Sequence, residues 1–234
     1  MLAQACENPK LAWIDLRPHV MVDAPAHGGM YRAEIGLNGA GGYHLGPLVA
    51  VSIDGERDPH GEPCLLRLPS GRYRLYYTAW SASGSEIRSA ASDDAIRWTR
   101  DPGARLSDGA EHPDIVQARS GLYRLFHTRH RSRIESAISR DGLLFESETS
   151  PRLVGEASST TITPLLTDAA RGEYRMLYEN DGRTCCAVSS EGEAFALESR
   201  FTDSINKALR HPRSPSLAIL LDGTWLVLFT GEPG

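Results

Sequence analysis

Five short stretches place titratable side chains at corresponding points along the chain: RPHVMVD from Arg17, RDPHGEP from Arg57, EHPDIVQ from Glu111, SSTTITP from Ser158 and RHPRSPS from Arg210. His19, His60, His112 and His211 take similar places in four of the five, accompanied by Asp58, Glu62, Glu111, Asp114 and Arg213. If the fold brings these stretches together, a ring of titratable groups shares one pocket, where burial and like charges shift pKa values toward neutrality. Such a ring suits general acid–base chemistry. It also suits a metal held by His19, His60, His112 and His211, which requires the ring nitrogens within about 2.0–2.2 Å of one ion. The structural alternative is that His-Pro and Asp-Pro simply open strands around a wet, polar channel.

The elements that must position these groups are repeated. RYRLYYTAWSASGSEIRSAASDDAIRW, from Arg72, reads as a strand, a Ser/Gly-rich loop, a second strand and a turn. LYRLFHTRHRSRIESAISRDGLLF, from Leu122, repeats that order closely, and EYRMLYENDGRTCCAVSSEGEAF, from Glu173, repeats it more loosely. Weaker copies begin at Met30 and end the chain in TWLVLFTGEPG. Anchored on Tyr31, Tyr73, Tyr123, Tyr174 and Trp225, the period is roughly 40 to 50 residues, the range of propeller blades and solenoids. An apolar strand precedes each aromatic one, so each unit is a four-stranded blade closed by an aromatic such as Trp98, Phe145 or Phe195. Period-two patterning excludes a helical solenoid. The expectation is an all-β, five-bladed β-propeller forming a single domain over residues 1–234, its last blade, begun near Ser214, completed by the N-terminal strand LAWIDLRP (Leu11 to Pro18).

In a propeller the innermost strands line a central channel, and the loops at one end form a funnel. The loops after the second strands add Trp80, His127, Arg129, His130, Glu179 and Asp181 to the same rim. Trp80 suits stacking on a sugar or other ring, or covering the core.

Twenty-five basic and 30 acidic residues give a net charge of −5, with the signs interspersed. This points away from nucleic acid and membranes and toward a small-molecule partner. Cys6, Cys64 and the adjacent Cys185 and Cys186 lack metal-ligand spacing and read as structural thiols. The N-terminal segment has neither a basic start nor a long apolar core, so a cytoplasmic protein is expected. No cofactor is expected, the four-histidine metal being the alternative.

RDPHGEPCLLRLPSGRYRLYYTAW, HPDIVQARSGLYRLFHT and the I-x-S-A-x-S-x-D-G turns together resemble the five-bladed propellers of glycoside hydrolase family 43 and its relatives in families 32, 62 and 130. The resemblance implies a carboxylate base or nucleophile in an early blade, an aspartate in an I-D-P motif that tunes pKa and orients substrate, and a glutamate acid in an E-G-P motif. Asp58 matches the first. ITP places Thr163 at the aspartate and RSP places Arg213 at the acid. Arginine does not donate a proton at usable pH, so hydrolysis would need a substitute acid such as Glu179, Asp114 or a histidine.

Three functions remain open on these residues. One is an enzyme with a rebuilt channel, Asp58 as base and His60 or His112 as its partner. It would cyclise, rearrange, eliminate or hydrolyse a small polar or sugar-like molecule, with Arg213 holding an anionic or carbonyl group. The others are a glycosidase with a relocated acid and a catalytically inert ligand-binding propeller.

Overall fold

The computed structural model describes residues 6–23, 29–39, 41–55, 60–118, 120–130, 133–149, 153–154, 157–164, 174–190, 192–198, 202–220 and 223–233. Asp58 lies outside them, as do the side chains of Thr163 and His211.

The first sheet holds β1 (Glu7–Ile14), β2 (Arg17–Asp23), β3 (Met30–Leu37) and β4 (Tyr43–Leu45) in that order, with β5 (Val49–Ala50) also on β3. The second holds β6 (Ser52–Ile53), β7 (His60–Arg67), β8 (Tyr73–Ser81), β9 (Gly84–Ser92) and β10 (Arg97–Arg100), ordered β6-β10-β9-β8-β7. The third runs β11 (Ala110–Gln117), β12 (Tyr123–Arg129), β13 (Arg133–Ser139) and β14 (Glu146–Ser147), with β15 (Leu153–Val154) also on β13. The fourth is β16 (Ala157–Pro164), β17 (Tyr174–Asn180), β18 (Arg183–Ser189) and β19 (Ala196–Leu197). After the short helix α1 (Asp203–Ala208), β20 (Leu209–Ile219) and β21 (Trp225–Pro233) form the fifth.

Each first strand packs against the next in the cycle β1, β7, β11, β16, β20 and back to β1, which is the closure of a five-bladed propeller. The core is divided accordingly into five apolar layers, one per interface. Tyr73, Leu75 and Tyr77 of the second blade meet Ile14 and Met21 of the first, while Leu226 of the last meets Val20 and Val22 of the first. No helix among the described residues is long and apolar enough to cross a membrane.

One expectation is corrected. LAWIDLRP does not complete the last blade; it holds the end of β1, the innermost strand of the first, the turn and the start of β2, and Leu11 faces Val20 of β2. Tyr31 consequently sits on a third strand and is out of phase with Tyr73, and His19 sits on the second strand rather than the innermost one. The reason is the β1–β2 turn. Asp15 and Leu16 both hold positive φ, 48° and 62°, the conformation of a tight hairpin turn that normally announces itself as Asn-Gly or Asp-Gly. Tyr73 of the next blade steadies it, donating to Asp15 Oδ1 at 2.9 Å and accepting from the Asp15 N–H at 3.0 Å.

Candidate functional site

All five innermost strands break register near their starts: between Glu7 and Lys10, Gly61 and Cys64, Glu111 and Asp114, Ser158 and Thr161, and Arg213 and Ser216. In four of them the bulged residue precedes a proline and has a left-handed backbone: Asn8 (φ 48°), Glu62 (φ 56°), His112 (φ 52°) and Ser214 (φ 48°). Non-glycine residues there are strained, and such bulges re-aim side chains. Four blades thus present a polar side chain from the same structural position.

These side chains form one hydrogen-bonded chain. Ser214 Oγ donates to Asn8 Oδ1 at 2.8 Å, and Asn8 Nδ2 donates to Asp23 Oδ2 at 2.8 Å. Both Asp23 oxygens accept the backbone N–H of Glu62, at 3.0 and 2.9 Å. Glu62 Oε1 lies 2.7 Å from His112 Nε2, and Oε2 accepts from Thr78 Oγ1 at 2.6 Å and the His112 N–H at 2.8 Å. His112 Nδ1 closes the run on Thr128 Oγ1 at 3.0 Å. Asp23, Glu62 and His112 are all buried.

The two carboxyl groups diverge. Burial pushes Asp23 up to about 7, helped by the Glu62 charge, against the hydrogen bonds from Asn8 and the Glu62 N–H and the charge of His112. Burial also acts upward on Glu62, but the charge and hydrogen bonds of His112, with the Thr78 hydroxyl, hold it below its ordinary value. One is a carboxylic acid near neutrality and the other a carboxylate.

Gly61 lies between this buried acid and Trp80. A Cβ there would stand 2.9 Å from Asp23 Oδ2 and 3.0 Å from Cη2 of Trp80, a residue that is 43% exposed. The carboxyl and the edge of a partly exposed indole therefore converge on one point. Two residues further along the inner strands, Lys10 Nζ meets Asp114 Oδ2 at 2.9 Å, bridging the first and third blades through buried side chains.

The sequence-named residues fall into distinct places. His112 joins the network above, and Asp114 belongs to the bridge with Lys10. His60 is buried and stacks on Tyr77 with ring centroids 5.0 Å apart. His19 is buried on β2 with Nδ1 3.1 Å from the Arg17 carbonyl. His127, expected on the rim, lies inside β12 fully buried, and burial pushes it down to about 4. Arg129 also lies in β12, donating to Glu135 at 2.7 Å and the Asp108 carbonyl at 2.5 Å. Glu179 is half-buried in β17, and the Arg213 side chain is exposed beside the Ser214 bulge. Thr163 stands at the far end of β16 from its bulge, so ITP is not in register with the other x-Pro positions. Among the described residues, no three histidines, cysteines or carboxylates gather to hold a metal ion, and all four cysteines are free thiols.

Asn8, Lys10, Asp23 and Ser214 escaped the sequence reading, and Glu62 entered it only as a neighbour of the histidines. The recurring Asn8-Pro9, Glu62-Pro63, His112-Pro113 and Ser214-Pro215 pairs are the signal for three of these five.

No family model and no curated protein matches the chain. Solved structures do share its fold. A thermostable family-43 glycoside hydrolase superposes with a TM-score of 0.71 at 13% identity, over 98% of this chain and 86% of that one. An endo-1,4-β-xylanase from Bacteroides thetaiotaomicron gives 0.71 at 14%, over 97% and 85%. Fructan 1-exohydrolase IIa from Cichorium intybus gives 0.70 at 10%, over 98% of this chain and 52% of that one. The chain has the propeller fold of these glycoside hydrolases.

Proposed function

We propose that the chain is an enzyme acting by acid–base catalysis on a small sugar-like or otherwise polar molecule at the mouth of the channel. Asp23 is the proton donor, Asp58 supplies the second carboxylate, and Trp80 is the face on which the substrate ring lies. Glu62 and His112 act through Asp23. The Glu62 charge favours the protonated acid, and its backbone N–H fixes the carboxyl.

The observation that carries this reading is the raised Asp23 carboxyl, which burial and the neighbouring Glu62 charge keep protonated toward neutrality: a carboxylic acid held neutral by its surroundings is the usual mark of a general acid. A positioned acid contributes typically about 10²–10⁴-fold. Protonating a leaving oxygen serves hydrolysis when water attacks, and elimination or cyclisation when the substrate supplies its own base or nucleophile. The sharing of this fold with proteins described as glycoside hydrolase, xylanase and fructan exohydrolase favours glycosides as first substrates.

The test is turnover of a panel of 4-nitrophenyl and alkyl glycosides by the wild type, Asp23→Asn and Asp58→Asn. Asp23→Asn should lose at least about 10²-fold on alkyl glycosides and much less on 4-nitrophenyl ones, whose leaving group needs little protonation. Equal losses on both, or none, would overturn the assignment of Asp23.

A second reading has its own support. Every oxygen of Asp23 and Glu62 already accepts a hydrogen bond within the chain, as in a network built for rigidity around a binding site. A ligand-binding propeller without turnover would bind a monosaccharide equally well with Asp23 or Asn at that position.

A further inference from the structure

Side chains as well as packing join the first and last blades. Ser214 and Ser216 of β20 both reach β1: the Ser214 hydroxyl donates to Asn8 Oδ1 at 2.8 Å, and Ser216 Oγ accepts the Leu11 N–H at 2.8 Å. The first of these contacts leads to the acid. With its carbonyl oxygen engaged by Ser214, the Asn8 amide turns its nitrogen to Asp23 and donates to Oδ2 at 2.8 Å.

The two oxygens of Asp23 are therefore unequal. Among the described residues, Oδ2 accepts both the Asn8 amide and the Glu62 N–H, whereas Oδ1 accepts only a share of that N–H, at 3.0 Å. An oxygen already accepting two hydrogen bonds is the poorer place for a proton, so the proton of the neutral acid belongs on Oδ1. A reversed amide would undo this. It would present its carbonyl oxygen to Oδ2, which would then hold the proton in a hydrogen bond to Asn8.

We infer that Asn8 is a positioning residue for Asp23: its amide, oriented by Ser214 across the seam between blades, reserves Oδ1 as the proton-bearing oxygen and so sets the side from which a substrate oxygen is protonated. This role rests on Asp23 being the proton donor. Because Ser214 and Asn8 lie 206 positions apart, the acid is set only once the first and last blades have met.

Both residues have left-handed backbones, at φ 48°, so glycine removes either side chain while relieving strain. The titratable groups that act on Asp23 are Glu62 of β7 and His112 of β11, and the Cys6 thiol beside β1 feels its charge. All three remain in the glycine variants.

The experiment is a carboxyl-carbon NMR titration of the full chain without substrate, as wild type, Asn8→Gly and Ser214→Gly, followed by pH profiles of kcat and KM on alkyl glycosides. In the wild type the Asn8 side-chain amide signals should move with the Asp23 midpoint. A hydrogen bond to an ionised carboxylate lowers its pKa by about one to two units. Asn8→Gly should therefore raise the Asp23 midpoint by about one unit, and Ser214→Gly by less. The alkaline limb of kcat should shift with it, and kcat should fall at least about tenfold with little change in KM. An Asp23 midpoint unmoved by Asn8→Gly, or Asn8 amide signals that do not follow it, would overturn the positioning role even in an active enzyme. Shifted midpoints in a chain that turns over no glycoside would support the orientation of the acid and overturn the proposed function instead.

Discussion

The imidazole Nε2 of His112 lies 2.7 Å from Oε1 of Glu62, joining the bulges of two consecutive inner strands through buried side chains. The same glutamate accepts the His112 backbone N–H, so the contact fixes both the ring and the strand that carries it. Removing the imidazole strands the buried Glu62 carboxylate, which costs about 3–5 kcal/mol. His112→Ala should destabilise by an amount of that order, and Glu62→Gln, which disturbs the hydrogen bonds from Thr78 and the His112 N–H, by about 1–3 kcal/mol. The double variant should cost less than their sum, leaving a coupling above about 1 kcal/mol in denaturant unfolding.

Asp23 and Glu62 give opposite pH dependences. Folding raises Asp23 from its ordinary 3.8 to about 7, so the native state holds a proton that the unfolded chain releases. That contribution is full below 3.8 and is lost as pH rises through about 7. Glu62 contributes above its ordinary 4.5, and the contribution is lost as pH falls through its lowered folded value. Between about pH 4 and 7 the wild type should therefore lose stability with rising pH through Asp23, by an amount on the order of 4 kcal/mol at about 1.4 kcal/mol per pKa unit. Asp23→Asn should flatten that slope in thermal or urea unfolding.

The Lys10–Asp114 bridge supports a contrast between breaking and replacing. Lys10→Met leaves the Asp114 carboxylate buried without its ammonium and should cost about 3–5 kcal/mol. Lys10→Met with Asp114→Leu exchanges the pair for apolar volume and should recover most of that loss. Urea midpoints of the three proteins measure it.

Gly61 is required for space. Its neighbours Asp23 and Trp80 stand 2.9 and 3.0 Å from where a Cβ would be, so Gly61→Ala must displace the acid or the indole. Destabilisation of about 1–3 kcal/mol is expected, with turnover reduced beyond what the unfolded fraction explains. Gly39→Ala is the control, since nothing lies within 4 Å of its Cβ position, and it should change stability by no more than about 0.5 kcal/mol.

Much of the fold was legible because a propeller repeats its instructions: alternating strands, Asp-Gly turns and closing aromatics recur at a blade's spacing. The phase of the first blade was not, because Leu16 occupies a left-handed turn position where the pattern expects glycine. That one residue concealed the β1–β2 hairpin and shifted His19 onto the wrong strand. Within the site, His112 stood out as a histidine before proline, and the other bulged residues share that spacing. Asp23 carries no such mark. Its properties come from burial between blades and from contacts with Asn8 and with Glu62, 39 positions away, and short-range pattern does not encode them.

The most direct test is NMR titration of the side-chain carboxyl carbons in protein labelled with ¹³C at Asp and Glu, with Asp23 and Glu62 assigned by substitution. The account requires Asp23 to titrate at about 7 and Glu62 below its ordinary 4.5 in the same sample. An Asp23 midpoint near 3.8 would mean that the chain holds no carboxylic acid there at neutral pH, contradicting its role as proton donor.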